Sequence, residues 1–159
     1  MYERLMDSPV GPLTLRAEGG KLTAILFGDH RTGLLGEDPV LDQTEAELRE
    51  YFAGDRKVFT VPVHLSGTDF QMKVWAALQE IPYGETATYG EIAVRIGNPK
   101  ACRAVGTANH NNPISIVIPC HRVIGANGSL TGYGGGLPIK RQLLELEKHY
   151  SRDHNSSLF

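Results

Sequence analysis

The chain has few cysteines and no long apolar run, and both scarcities narrow what it can be. Of its 159 residues only Cys102 and Cys120 are cysteines, so a disulfide framework is not indicated and we expect reduced thiols in a cytoplasmic protein. No apolar stretch approaches the roughly 20 residues of a membrane-spanning helix, and "MYERLMDSPVG" lacks the layout of a signal peptide. With 41% apolar and 21% charged residues, the composition is that of a globular protein with one domain or two small ones.

Acidic residues are absent from a long segment of the chain. Residues 92–144 contain no Asp or Glu, although the formal net charge of the whole chain is only −2. The same segment carries six basic residues, which are Arg95, Lys100, Arg103, Arg122, Lys140 and Arg141. This asymmetry favours a polyanionic partner, most simply a nucleic-acid backbone. The alternative is a chance cluster of cations on a solvated face.

The N-terminal part is predicted to be rich in strands. The segment "GPLTLRAEGGKLTAILFG" alternates around Gly19 and Gly20 and predicts a β-hairpin. Residues 41–54 have helical spacing with Gly54 as the stop, and "KVFTVPVHL" at 57–65 predicts another strand. This region shows no constellation of reactive side chains, so we expect it to be structural.

Beyond residue 66 the patterns become helical. Capping boxes at 68–71 ("TDFQ") and 88–91 ("TYGE") predict helices that begin near Asp69 and Tyr89. A last helix begins at Pro138. We expect an α/β protein of the α+β type, with a small N-terminal sheet and helix followed by a mainly helical domain.

The predicted domain limits follow from this change in pattern. Residues 1–66 form the strand-rich structural domain, residues 67–150 the helical domain, and residues 151–159 a polar tail.

Two short helices across a tight turn predict a helix-turn-helix. Asn98 and Pro99 suit the N-cap and first position of its second helix, "KACRAVGTANH" at 100–110. That helix carries small residues such as Ala104 and Gly106, whereas reading bases in the major groove needs long polar side chains. Close backbone approach to the narrower minor groove fits it better.

The segment "ISIVIPCHRVIG" at 114–125 carries the chemistry. A strand-like run ends at Pro119, and Cys120 then stands beside His121. Only a few per cent of a free thiol is ionised at neutral pH, and a neighbouring imidazole can accept its proton if a third group orients the ring. Adjacent side chains of an extended segment point to opposite faces, so the pair needs a turn or a bridging water. The alternative is an inert, buried thiol.

Glu147 is the predicted orienting group. It lies four residues after Leu143 on the edge of the apolar stripe of the last helix, while Glu145 points elsewhere. A carboxylate at the rim of a core needs a partner, and His121 would provide one.

These residues resemble one family. "PCHRVIG", preceded by "NNPISIVI" and followed by "TGYGGG", is similar to the O6-alkylguanine-DNA alkyltransferases, also called methylated-DNA–protein-cysteine methyltransferases. "IPYGE", "TYGEIA", "GNPKACRAVG" and "KRQLLELE" match in order, so the resemblance covers residues 68–150 and extends more loosely to "SPVGPL" and "LREYFAG". It implies a ribonuclease H-like N-terminal domain and a helix-turn-helix that enters the minor groove of double-stranded DNA.

The resemblance also implies roles for single residues. Cys120 would accept the alkyl group of an O6-alkylguanine that is flipped out of the duplex, with O4-alkylthymine as a second candidate substrate. His121 would act through a bound water with Glu147 behind it, and Asn112 would brace the active-site turn. Tyr89 would press on the adjoining phosphate, line the pocket, and protonate the leaving purine.

Further positions follow for DNA and for the pocket. Arg103 would fill the space of the flipped nucleotide. The implied DNA contacts are Tyr89, Asn98, Arg103 and Ala104, and the implied pocket consists of backbone groups of Cys120 and Val123 with the loop at Tyr133, Gly134 and Gly135. Gly134 stands where several relatives have serine, so its contact with the O6 atom would come from the backbone N–H alone.

The implied product is a thioether that water does not cleave, so the protein would react once and stop, without a cofactor. The N-terminal region has only His30 and His64 as soft ligands, and we expect no metal there. Cys102 is expected to be a small packing residue. A cysteine hydrolase would instead turn over, and a protein that only binds alkylated DNA would not need the thiol. Cooperative self-association along DNA stays open.

Overall fold

A computed structural model describes residues 1–34, 36–130, 133 and 135–156. The chain divides into two compact units. Unit 1 comprises Met1–Leu65 and Pro113–Val117, and unit 2 comprises Ser66–Asn112 and Ile118–Phe159.

Unit 1 is built on an antiparallel sheet of three strands. The strands β1 (Tyr2–Met6), β2 (Leu13–Glu18) and β3 (Lys21–Phe27) lie in the order β1-β2-β3. The turn between β2 and β3 has positive φ at Gly19 and Gly20, the conformation that tight hairpins require and glycine adopts without strain. The predicted hairpin is confirmed.

Helix α1 (Pro39–Phe52) supplies the other half of this core. Asp38 caps it by accepting from the Val40 N–H at 2.9 Å, and the chain leaves it at Gly54, where φ is +84°. The predicted helix with its stop at Gly54 is therefore confirmed. Fully buried side chains fill the core of this unit: Leu13, Leu15, Ala17, Leu22, Leu41, Leu48 and Tyr51.

The strand predicted at 57–65 is wrong. Only one parallel bridge forms, between Leu22 and Val63. Pro62 has no N–H to give to a sheet, and the N–H groups of Thr60 and Val61 donate to the carboxylate of Glu47 at 2.8 and 3.2 Å. The segment is therefore bound to α1 through a buried carboxylate.

The prediction of a strand directly before Pro119 is also wrong. This segment makes a single bridge, between Ile25 and Ile114. Ile116 has a φ of +74°, which is rare for a β-branched residue and incompatible with a continuing strand.

The described part of unit 2 contains four α-helices. They are α2 (Asp69–Leu78), α3 (Tyr89–Arg95), α4 (Cys102–His110) and α5 (Leu137–Ser156). Both predicted capping boxes are confirmed: Thr68 with Gln71 opens α2, and Thr88 with Glu91 opens α3, each through two reciprocal hydrogen bonds of 3.0 and 3.1 Å.

Helices α3 and α4 form the helix-turn-helix, but α4 begins later than predicted. Its N-cap is Ala101, which makes no side-chain cap. The prediction that Asn98 caps this helix is wrong, because its carbonyl instead accepts from the Ala101 N–H at 3.0 Å and closes a separate turn. Pro99 stands at the second position of that turn, which its fixed φ favours.

Two further contacts hold unit 2 together. The Trp75 indole N–H donates to the Ala108 carbonyl at 2.9 Å and fixes α4 on α2. Strand β4 (Ala87–Thr88) pairs in parallel with β5 (Val123–Ile124). Helix α5 follows Gly136 and extends to Ser156, so residues 151–156 continue a helix where a polar tail was expected. Within the described ranges, no helix is long and apolar enough to cross a membrane.

Candidate active site

Cys120 lies in a tight turn. Pro119 ends the preceding run, and Cys120–Arg122 form one turn of 3-10 helix directly before β5. The Cys120 N–H donates to the Ile118 carbonyl at 2.8 Å. Cys120 and His121 therefore lie in a turn and not in an extended segment, as the pairing of the two side chains requires. Cys120 is only 3% exposed, so its thiol is held inside the unit.

His121 and Glu147 form a buried pair. The His121 Nε2 lies 2.6 Å from Oε2 of Glu147, and the two residues are 0% and 1% exposed. The N–H of Gly84 donates to Oε1 at 3.3 Å. The predicted partnership of these two side chains across 26 residues of sequence is present in the fold.

Arg122 is the second partner of this carboxylate. Its Nε donates to Oε1 of Glu147 at 2.8 Å and its Nη2 donates to Oε2 at 3.1 Å, a bidentate pair. Its Nη1 donates to the Ile81 carbonyl at 2.7 Å, and the guanidinium lies 5.7 Å from the ring centroid of Tyr83. The prediction that Arg122 is one of the cations available to a polyanion is therefore wrong, because its guanidinium is already engaged inside the unit.

The environment sets the protonation states of the pair. Burial alone would raise the pKa of Glu147, but the hydrogen bonds from His121 and Arg122 and the positive charge of Arg122 outweigh it and hold that pKa far below its usual range. Burial lowers the pKa of His121, and the attraction of Glu147 only partly opposes this shift. At neutral pH the carboxylate is ionised and the imidazole is neutral, with Arg122 supplying the balancing charge.

These states determine which nitrogen of His121 is basic. An ionised carboxylate can only accept, so Nε2 must carry the proton in its bond to Glu147. Nδ1 is then the unprotonated nitrogen. Nδ1 is buried, and the described residues give it no hydrogen-bond partner. The ring thus holds a free lone pair inside the unit, in the residue next to the thiol.

Two asparagine amides hold the backbone around Cys120. Asn112, which is predicted to brace this turn, donates from Nδ2 to the Ile118 carbonyl at 2.8 Å. Asn109, which the sequence analysis missed, donates from Nδ2 to the carbonyl of Cys120 itself at 3.3 Å. The helical spacing of Asn109 with the buried Val105 was the signal that could have revealed it.

Lys140 is a second missed residue. It is 0% exposed, its Nζ donates to the Val123 carbonyl at 2.6 Å, and it lies 6.0 Å from the ring centroid of Tyr133. Burial lowers its pKa, and the negative charge that Cys120 carries as a thiolate would oppose that shift. Lys140 is therefore also removed from the cations available to a polyanion. The helical spacing between Lys140 and Glu147 on α5 could have revealed that Lys140 lies on the same buried face.

The predicted pocket residues are partly assembled. Val123 is fully buried, and Tyr133 is 8% exposed. Burial, followed by the negative charge that Cys120 carries as a thiolate, raises the pKa of Tyr133 well above its usual value. Gly135 is half-buried. Gly134 lies outside the described residues.

The predicted DNA contacts lie on α3, on α4 and in the turn between them. Tyr89 opens α3 directly after β4 and is half-buried. A Cβ at Gly106 would lie 3.8 Å from Cε1 of its ring, so Tyr89 packs on the small face of α4. Exposed residues of α3–α4 include Asn98, Lys100, Cys102, Arg103, Ala104 and Thr107.

The buried pair predicts an acid-sensitive fold. Both pKa values are lowered in the native state, so the unfolded chain binds more protons below about pH 6.5 at His121 and below about pH 4.5 at Glu147. The free energy of unfolding should fall as the pH falls through these values, by up to about 1.4 kcal/mol per pH unit for each proton. Urea denaturation between neutral pH and about pH 4 measures this slope.

A matched pair of variants assigns the slope. His121→Gln should remove the part that begins near pH 6.5, whereas His64→Gln, at an exposed histidine of unit 1, should retain it. An identical pH profile for wild type and His121→Gln would contradict the neutral, buried imidazole.

Comparisons with known proteins agree with this geometry. Residues 1–65 match the family model "6-O-methylguanine DNA methyltransferase, ribonuclease-like domain", and residues 69–149 match the corresponding DNA binding domain. The chain is 53% identical over 151 residues to a methylated-DNA–protein-cysteine methyltransferase of Mycobacterium leprae, with 92% of each protein covered. It is 51% identical over 153 residues to a protein of the same name from Methanosarcina acetivorans, covering 92% of this chain and 98% of the relative.

Solved structures give the same result. The crystal structure of Mycobacterium tuberculosis OGT in complex with DNA superposes with a TM-score of 0.89 at 53% identity, covering 94% of each chain. An O6-methylguanine DNA methyltransferase from Methanococcus jannaschii gives a TM-score of 0.68 at 30% identity, over 91% of this chain and 93% of that one. The predicted fold class and activity are confirmed, and the chain belongs to the 6-O-methylguanine DNA methyltransferase family.

Proposed function

We propose that Cys120 accepts the alkyl group from O6-alkylguanine in double-stranded DNA and that each molecule reacts once. Membership of the family gives the activity, which is DNA repair by transfer of an alkyl group to a protein cysteine. The observation that supports Cys120 as the acceptor is the buried relay behind it. Cys102, the other thiol, is exposed on α4 and lacks such a relay among the described residues.

The relay prepares the nucleophile. The bare Nδ1 of His121 takes the thiol proton through a water molecule, and Glu147 stabilises the imidazolium that forms. Arg122 keeps Glu147 ionised and fixed in place. The ammonium of Lys140 stabilises the resulting thiolate. A thiolate is a far better nucleophile than a thiol, so the arrangement supplies a reactive sulfur at neutral pH.

The transfer is a displacement at carbon. A bond forms between Sγ of Cys120 and the alkyl carbon while the bond from that carbon to the guanine O6 breaks. The electron pair of the broken bond stays with the purine, which leaves as an anion and takes a proton from Tyr89. The product thioether has no easy leaving group, so the sulfur is not regenerated. The proposed single turnover follows from this chemistry.

The substrate must leave the duplex to reach the sulfur. Stacked guanine cannot bring its O6 substituent to a buried thiol, so the nucleotide rotates out of the helix. Helix α4 suits the minor groove because its exposed face combines Arg103 with the short side chains of Ala104 and Thr107. Arg103 would occupy the space that the nucleotide leaves, and Asn98 would contact the DNA backbone.

The extruded base would be held by backbone groups around the thiol. These would be backbone groups of Cys120 and Val123, together with the loop at Tyr133, Gly134 and Gly135. In this proposal residues 67–150 carry out the reaction and residues 1–66 support them. A reducing cytoplasm would preserve the free thiol.

Mass spectrometry tests the acceptor. After incubation with excess O6-methylguanine duplex, the wild-type protein should gain one methyl group, on the peptide that contains Cys120. Cys120→Ser should gain none, and the matched control Cys102→Ser should behave as wild type. Methyl transfer that exceeds one equivalent per protein molecule would indicate turnover, and methylation of Cys102 alone would refute the assignment.

A second experiment tests extrusion of the base. Arg103→Ala should slow repair of duplex by roughly ten- to a hundredfold, since Arg103 would offset part of the few kcal/mol that unstacking costs. Reaction with free O6-benzylguanine, which needs no extrusion, should change little. Arg141→Ala, at an exposed cation of α5, is the matched control. Equal losses on both substrates would contradict the role of Arg103.

A further inference from the structure

Asn109 joins the helix proposed to bind DNA to the backbone of the reactive cysteine. It lies in the last turn of α4 and is 1% exposed. Its Nδ2 donates to the carbonyl of Cys120 at 3.3 Å, across 11 residues of sequence. Among the described hydrogen bonds, this is the only one that runs from a side chain of α4 to the segment Cys120–Arg122.

The orientation of this amide is fixed by its partner. A carbonyl can only accept, so the NH₂ group of Asn109 must face Cys120. Its Oδ1 is consequently buried, and within the described part of the chain it has no hydrogen-bond partner. Leaving a buried amide oxygen unsatisfied destabilises the folded state. An apolar residue would avoid that cost, so the bond to Cys120 is what this position gains from an asparagine.

The bond acts at a point that other contacts already restrain. The Cys120 carbonyl also accepts from the Val123 N–H, which closes the 3-10 turn. The Cys120 N–H donates to Ile118, whose carbonyl Asn112 holds. With Asn109 added, both sides of the Cys120 residue are fixed. Asn112 braces the entry to the turn, and Asn109 braces the reacting residue itself.

In the proposed function, α4 also contacts DNA, through Arg103. Arg103 and Asn109 are six residues apart on one helix, about 9 Å along its axis. Trp75 donates to the carbonyl of Ala108, the residue next to Asn109, so this end of α4 is joined to α2 and moves together with it. A displacement of α4 when it binds DNA therefore acts directly on the Cys120 carbonyl.

We propose that Asn109 is a positioning residue that couples the docking of α4 on DNA to the placement of Cys120. This inference rests on the proposed function, because it requires α4 to contact the duplex. Part of the free energy of DNA binding then holds the reactive segment in the geometry for attack. A free base, which does not engage α4, gains nothing from the coupling. The expected signature is a change in the preference for duplex over free base.

The test compares two rates in each variant. We measure the rate constant for O6-methylguanine duplex and for free O6-benzylguanine, and take their ratio. Asn109→Leu keeps the size of the side chain and removes its hydrogen bonds, so the ratio should fall roughly three- to tenfold, the range expected for one hydrogen bond. Asn111→Leu is the matched control, since Asn111 is exposed beside the same helix end and should keep the wild-type ratio.

A merely structural role would lower both rates together and leave the ratio unchanged, which would overturn the proposal. If Asn109→Leu fails to fold by circular dichroism, Asn109→Ser provides the same test, since its hydroxyl is too short to reach Cys120. Failure of the wild type to methylate Cys120 would instead refute the proposed function. A wild type that reacts, with an unchanged ratio in the variants, would refute only the coupling.

Discussion

The ionised carboxylate of Glu147 in the interior of unit 2 is the constraint on which the site depends. An unpaired buried charge is costly, so its oxygens must be satisfied by donors with good geometry. His121, Arg122 and Gly84 supply four hydrogen bonds between them. Removing one partner of such a cluster leaves the others buried without compensation, typically at a cost of about 3–5 kcal/mol. The carboxylate therefore fixes the 3-10 turn on α5 and also fixes the tautomer of the imidazole.

The rest of unit 2 places a thiol and a substrate path around this cluster. The short parallel pair of β4 and β5 places Tyr89 at the start of α3 and the 3-10 turn on neighbouring strands. Asn112 and Asn109 hold the backbone on both sides of the sulfur, and Lys140 adds a buried positive charge. A site built on such supports is pre-organised, which lowers the reorganisation needed when the substrate arrives. The small side chains of α4 serve a different need, which is close approach to nucleic acid.

The features predicted correctly are those that local physics decides. Both capping boxes and the Gly19–Gly20 hairpin depend on side chains and backbone conformations within four residues. Glu147 was predictable because helical periodicity places it beside the buried Leu143. The two wrong strands depend on long-range partners instead. Glu47 takes the N–H groups that a strand at 57–65 would need, and no local pattern announces the positive φ of Ile116.

Two of the missed site residues share one cause. Arg122 and Lys140 were counted as surface cations because charged residues are usually exposed, yet both are buried beside groups that need a positive charge. The sequence did indicate this, because a buried cation in a segment without acidic residues must pair with a carboxylate or carbonyl in another part of the chain. Asn109 was missed because a polar residue at the end of an apolar stripe is easily taken for its solvated edge.

The most direct test of the account is the protonation of the His121 ring. Nitrogen-15 NMR of the labelled protein at neutral pH distinguishes a nitrogen that carries a proton from one that does not. We predict a neutral ring with the proton on Nε2, facing Glu147, and an unprotonated Nδ1 that can accept the proton of Cys120. A ring protonated on Nδ1 alone would leave the thiol without a base, and a ring protonated on both nitrogens would contradict the neutral imidazole.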